Sequence, residues 1–120
     1  MATDAIKSKS FAFALRIVKL YQFLCEQKKE YVISKQLLRS GTAVGALVRE
    51  AEQAESKADF IHKMAIALKE ANESEYWLEL LHQSDYLDEQ KYNSIAADTK
   101  NLLKLLTSII KTSKLNPKKY

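Results

Sequence analysis

The sequence predicts an all-α chain folded as an antiparallel up-and-down four-helix bundle, and three observations predict it. Only two Gly and one Pro occur in 120 residues, far fewer than a sheet of this size needs for its turns. Apolar residues recur at i, i+4, i+7 and i+11 in separate stretches, the period of a buried helical face. Short polar joints divide those stretches, which makes successive helices antiparallel neighbours. Hydrophobic residues at 47% and charged residues at 28% describe a folded chain rather than a disordered one, and the length suits a single domain.

The first helix is expected over about residues 8–28, with Phe13, Ile17, Leu20 and Leu24 as its core stripe. Phe11, Leu15, Val18 and Tyr21 widen the apolar surface beyond what one neighbouring helix can cover. Cys25, near the end, reads as a small core hydrophobe, and neither histidine is close enough in sequence to serve it as a base. Residues 26–30 form a polar hinge. Ser34 then has the features of an N-cap, with Ile33 before it and Leu38 placed for a hydrophobic staple.

The second helix, about 34–54, carries the core stripe Leu37, Gly41, Val44, Val48 and Ala51. Gly41 and Gly45, the only glycines, sit one turn apart and each costs a helix about 1 kcal/mol relative to Ala. That repeated cost points to close approach by another helix. No strand precedes them, so they do not form a phosphate loop. A second stripe, Arg39, Ala43, Ala46 and Glu50, puts small residues between opposite charges on another face. Arg39 and Glu50 lie roughly 16 Å apart along the axis, so each must find its partner elsewhere.

Ser56 is expected to cap the third helix, about 56–84, with Asp59 in its first turn. Phe60, Met64, Ala67, Ala71, Ser74, Leu78 and Leu81 form its core stripe, while Ile66, Trp77 and Leu80 lie about 90° or more from the centre of that stripe. This surplus of apolar surface predicts self-association. Glu70, Asn72, Glu73 and Glu75 make a polar middle. Bundle metal sites take a Glu-x-x-His from each of two helices; here Glu79 and His82 give one such spacing and His62 has Asp59 in that place, so the set is incomplete. No metal is expected, and contacts to Arg39 or solvent are expected to satisfy the carboxylates.

Asp88, between Leu87 and Tyr92, opens the fourth helix, about 88–114, in a staple pattern. Its stripe is Tyr92, Ile95, Thr99, Leu102, Leu106 and Ile109, joined by Leu103 and Ile110. Lys100, Lys104, Lys111 and Lys114 form a basic stripe about 80° wide. A short disordered tail, 115–120 with Pro117, follows.

The net charge of +4 hides a division along the chain. Residues 1–50 hold nine Lys/Arg against four Asp/Glu, residues 51–90 three against ten, and residues 91–120 seven against one. Basic ends around an acidic middle suit either an anionic partner or charge pairing between subunits. No apolar run reaches the roughly 20 residues of a membrane span, and no membrane partner is expected. Residues 1–10 lack the apolar segment of a signal peptide. A single cysteine fits a reducing compartment, so a cytoplasmic location is expected.

Residues 39–46 read Arg-Ser-Gly-Thr-Ala-Val-Gly-Ala, followed by Glu50, by Ser-Lys-Ala-Asp-Phe-Ile at 56–61, and by the Ala-Leu-Lys-Glu-Ala run ending in Tyr-Trp-Leu over 67–78. Together these resemble the four helix bundle protein family, which includes the 23S rRNA-intervening-sequence proteins. The resemblance covers nearly the whole chain, the first helix included. One departure is Leu47, where the family often has Asn. The resemblance implies a homopentamer with a central channel. It also implies kinship with the accessory variability protein of diversity-generating retroelements, which binds nucleic acid and a reverse transcriptase.

The expected function is therefore non-enzymatic. No nucleophile and base pair, complete set of metal-site spacings or phosphate loop is found, and no cofactor is expected. The leading expectation is an oligomer that binds nucleic acid, RNA before DNA, through Lys9, Arg16, Lys19, Lys100, Lys104, Lys111 and Lys114. Its subunit interface would use Arg39, Ala43, Ala46, Glu50, Ile66, Trp77 and Leu80. The alternative is a protein-interaction scaffold with no nucleic-acid role.

Overall fold

A computed structural model of the chain describes residues 2–115. Within them lie four helices: α1 (Ala2–Glu26), α2 (Ile33–Glu52), α3 (Lys57–Gln83) and α4 (Glu89–Leu115). Helix α1 packs on α2 and α4, and α3 packs on the same two, so the chain closes in the order α1-α2-α3-α4. Cross-helix contacts give the direction. Lys7 pairs with Glu52 at 3.4 Å and Lys63 with Glu50 at 3.1 Å, each joining the start of one helix to the end of its neighbour. The four are thus antiparallel, in a body of 49 × 21 × 19 Å. None of the described helices is long and apolar enough to cross a membrane.

One core runs the length of the bundle. All of the expected positions on α2 and α3 are buried, and on α4 Ile95, Thr99, Leu102, Leu106 and Ile109 are buried. Ser40 and Ser74, both fully buried, meet across α2 and α3 with their hydroxyls 2.9 Å apart. Such a pair fixes the register of two helices, because sliding either one would strand a buried hydroxyl.

Helix α1 begins at Ala2, six residues before the expected start. Ile6 is fully buried and continues the stripe of Phe13, Ile17 and Leu24, and Asp4 complements the N-terminal dipole. Ser10 is buried mid-helix with its hydroxyl donating to the Lys7 carbonyl. The helix ends at Glu26 because Lys29, at φ 56°, turns the chain left-handed. Of the disordered tail expected over 115–120, residues 116–120 lie outside the described residues, and Leu115 belongs instead to α4 as its last residue.

Ser34 is not the cap of α2. The helix begins at Ile33, and its free N–H groups are taken by Glu30, whose carboxylate accepts from Val32 (3.0 Å), Ile33 (2.9 Å) and Ser34 (2.7 Å). Burial acts to raise the Glu30 carboxyl, but the three backbone donors outweigh it and hold the group below its ordinary range. Ser34 instead donates to the Glu30 carbonyl at 2.8 Å. The caps expected at Ser56 and Asp88 are in place: Ser56 accepts from the Asp59 N–H at 3.0 Å, and Asp88 from Lys91 at 2.8 Å.

The α3–α4 turn is a Schellman motif. The Tyr86 N–H donates to Leu81 and that of Asp85 to His82, with Asp85 at φ 68°. The His82 ring stacks on Tyr92 at 4.1 Å and its Nε2 lies 3.0 Å from Glu89, so side chains also clasp the turn.

Candidate nucleic-acid interface

The cationic residues expected to bind a polyanion fall into two groups. Lys9, Arg16 and Lys19 recur on the flank of α1 that faces α4, where they border two cavities on the α1–α4 seam. Arg16 is tied across that seam. Its guanidinium binds the Asp98 carboxylate, the Ser94 carbonyl at 3.4 Å and the Ser94 hydroxyl at 2.9 Å. Three of its donor contacts are therefore internal, which orients the group and leaves fewer hydrogens for a ligand.

Lys100, Lys104, Lys111 and Lys114 are exposed on the outer face of α4, and none forms an ion pair among the described residues. Lys104 and Lys111 border an open depression with Thr107 and Ser108. None of these four lysines lines the seam cavities. The bundle thus presents a basic edge at α1–α4 and a basic outer face on α4, rather than one stripe.

Lys91 was missed in the sequence because it stands alone at the start of α4, apart from the lysine stripe. In the fold it lies beside Arg16 and Lys19, with its ammonium 5.1 Å from the centre of the Phe23 ring. Its spacing of seven residues from Asp98 places the two on one flank of the helix, a signal that would have found it.

The expected subunit surface is knit across α2 and α3. Arg39 reaches Glu70 at 3.2 Å and also pairs with Glu73, which in turn accepts from the Trp77 indole N–H at 3.0 Å. The hydrogen bonds to Glu70 and Glu73 raise the Arg39 guanidinium above its ordinary value, and the indole donor together with Arg39 holds Glu73 low. Glu50 pairs with Lys63. Arg39 and Glu50 therefore both find their partners on α3 of the same chain. Between them Ala43 is half-buried and Ala46 exposed.

Ile66, Trp77 and Leu80 are half-buried rather than fully exposed, and Tyr76, edge-on to Trp77, is the large exposed ring of α3. A group of apolar side chains is left in solvent on α1, where Phe11 and Leu15 are each 51% exposed and Val18 36%. Phe11 sits under the Arg49 guanidinium, 5.2 Å away. Leu47 is half-buried against the core. Cys25 is half-buried, its thiol 4.0 Å from the Ser34 hydroxyl. Among the described residues no three His, Cys, Asp or Glu side chains gather as a metal site.

Comparison with known proteins places this geometry. Among curated proteins none matches the chain. A crystal structure of a protein with unknown function from the S23 ribosomal protein family of Bacteroides thetaiotaomicron is 58% identical, covering 92% of this chain and 99% of that one with a TM-score of 0.91. The profile of the 23S rRNA-intervening sequence proteins matches residues 4–108, nearly the whole length. The chain belongs to the 23S rRNA-intervening sequence protein family.

Proposed function

We propose that this protein is a non-enzymatic, cytoplasmic homo-oligomer that binds RNA through the basic side chains of α1 and α4. The observation that carries the reading is the sorting of charge. The acidic residues Glu50, Glu70 and Glu73 are neutralised within the α2–α3 pair, while Lys9, Lys19, Lys100, Lys104, Lys111 and Lys114 are exposed and have no ion-pair partner among the described residues. Unneutralised lysines along a surface are what phosphate backbones bind, with little regard to base sequence. The family name supports an RNA setting, and the relative's family name does so too. Assembly as a pentamer through Arg39, Ala43, Ala46, Glu50, Ile66, Trp77 and Leu80 would repeat the lysines around a ring. A reverse transcriptase is a further partner by kinship with the retroelement accessory protein.

A second reading, a protein-interaction scaffold, is favoured by one observation, the exposed stripe of Phe11, Leu15 and Val18. Filter binding at 50 and 200 mM salt tests the first. Four phosphates neutralised by the α4 lysines correspond to an affinity loss of about 50-fold over that range for a single strand. Lys104→Glu with Lys111→Glu should weaken RNA binding and leave the oligomer intact. RNA binding that is absent at low salt, or indifferent to salt, sinks the reading. Loss of the oligomer in the charge-reversed variant supports subunit pairing instead.

A further inference from the structure

The α1–α4 seam offers more than charge. Its larger cavity, about 490 Å³, has a floor formed by Leu20, Phe23 and Ile95 and a rim formed by Arg16, Lys19 and Lys91. A cavity of that size is within the range of small-molecule sites. The rim is cationic on both sides, from α1 and from α4. Of its three cations Arg16 is held by Asp98 and Ser94, while among the described residues Lys91 has only Asp88, at 3.9 Å, and Lys19 has no ion-pair partner. The Lys91 ammonium lies over the Phe23 ring at the end of a long flexible side chain, so a movable group stands on the open side of the ring. A second cavity on the same seam, about 170 Å³ and bordered by Lys9 and Asn101, lies roughly 10 Å further along, since Lys9 precedes Arg16 by seven residues.

We propose that this groove binds single-stranded nucleic acid in preference to duplex, with an unstacked base on the Leu20–Phe23–Ile95 floor and its flanking phosphates on Arg16, Lys19 and Lys91. This rests on the nucleic-acid reading above and names the form of the ligand and its seat. The pairing of an apolar, aromatic floor with a cationic rim matches the two faces of a nucleotide, and a cationic groove with an aromatic platform is the usual means of holding single strands. An acidic peptide would use the rim alone. In a duplex the base faces are stacked away, and a cleft between two helices whose axes are about 8–10 Å apart is too narrow to admit it. Phe23 and Lys91 stand on the first and last helices, far apart in sequence, so only the fold brings the ring to the cations.

The test uses the full chain, a labelled oligouridylate of about 15 nucleotides and an RNA duplex of equal length, read by fluorescence anisotropy at low salt. The single strand should bind at least about tenfold more tightly than the duplex. Phe23→Leu, which keeps apolar volume and removes the ring face, should weaken the single strand by about tenfold. Lys19→Glu should also weaken it, and duplex binding should be unchanged in Phe23→Leu. Equal affinity for the two forms, or no effect of either substitution, overturns the groove while leaving the broader RNA reading to stand on Lys104→Glu with Lys111→Glu. Binding of neither form removes both. Displacement of the oligonucleotide by polyglutamate at equal charge concentration shows that charge alone is selected, and overturns the base seat. If Phe23→Leu does not fold, 4-thiouridine crosslinking of the unaltered protein decides. Crosslinks to peptides containing Phe23 or Ile95 are expected, and crosslinks confined to the peptide of Lys104 and Lys111 refute the proposal.

Discussion

The two glycines of α2 should respond in opposite ways to the same substitution. A Cβ placed on Gly41 would stand 2.8 and 2.9 Å from the two γ-carbons of Ile17 and 3.3 Å from its Cβ. Carbon atoms prefer about 3.5–4.0 Å, so the overlap approaches 1 Å. Ile17 is fully buried and β-branched, which leaves it one rotamer in a helix and no space to swing aside. Overpacking of this kind costs about 1–3 kcal/mol, against about 1 kcal/mol gained from helix propensity. On Gly45 the nearest atom is the Ser10 carbonyl oxygen at 3.4 Å, an ordinary contact, so Gly45→Ala keeps most of the propensity gain. The two variants have the same composition, yet Gly45→Ala should be more stable than Gly41→Ala by about 1–3 kcal/mol. An unfolding entropy of about 2.1 cal/mol/K per residue makes this about 4–12 °C in Tm, read by calorimetry at pH 7. In an Ile17→Ala background the cost of Gly41→Ala should vanish. The reasoning fails if Gly41→Ala melts at or above the parent, or if its cost is unchanged without Ile17.

Glu30→Gln should remove the charge that three backbone N–H groups hold, and thereby lower stability by about 2 kcal/mol at pH 7. Because the folded carboxyl is held below its unfolded value of about 4.3, its contribution is complete above that pH and is lost as pH falls through the lower, folded value. The gap between the two proteins in thermal melts should therefore close below about pH 4, and a gap that stays constant with pH contradicts the capping role. Asp85→Gly should raise Tm by about 4 °C, since it relieves the left-handed φ of 68° and removes an anion from the C-terminus of α3. An unchanged or lower Tm would show that Asp85 is not strained. Ala46→Glu, at an exposed position between Arg39 and Glu50, should dissociate the proposed oligomer while the circular dichroism stays helical. Light scattering that finds the same mass before and after places the subunit contact elsewhere.

Much of the bundle was legible because its determinants are local. The stripes of α2 and α3 follow from periodicity, and the caps at Ser56 and Asp88 follow from a side chain within three residues of the N–H it meets. What escaped had determinants of another kind. Glu30 stands in a run of charged residues that reads as a solvated hinge, yet it is 7% exposed and caps α2. The start of α1, expected near residue 8, lies further back because the buried Ile6 carries the helix on. The flank holding Lys9, Arg16 and Lys19 was visible, but the Arg16–Asp98 pair joins residues 82 apart in sequence, and no spacing rule connects α1 with α4. The same distance hid Phe23 beside Lys91. The apolar surplus on α3 was real in number, but Ile66, Trp77 and Leu80 are partly covered, and more apolar surface is left open on α1.

Of the four main helix contacts among the described residues, the α1–α4 seam is the one between helices that are not consecutive in sequence, and it is the least extensively packed. Closing it requires the rest of the chain to have been brought round, so it should form late and open early. Amide hydrogens along the facing flanks of α1 and α4 should accordingly exchange with solvent before those of α2 and α3. A ligand seated in the groove would act as a clasp on this edge. At a hundred times its dissociation constant it would add about 2.7 kcal/mol to the closed form, and the added protection would appear in α1 and α4 together, two segments that occupation of the outer lysine face alone would leave uncoupled.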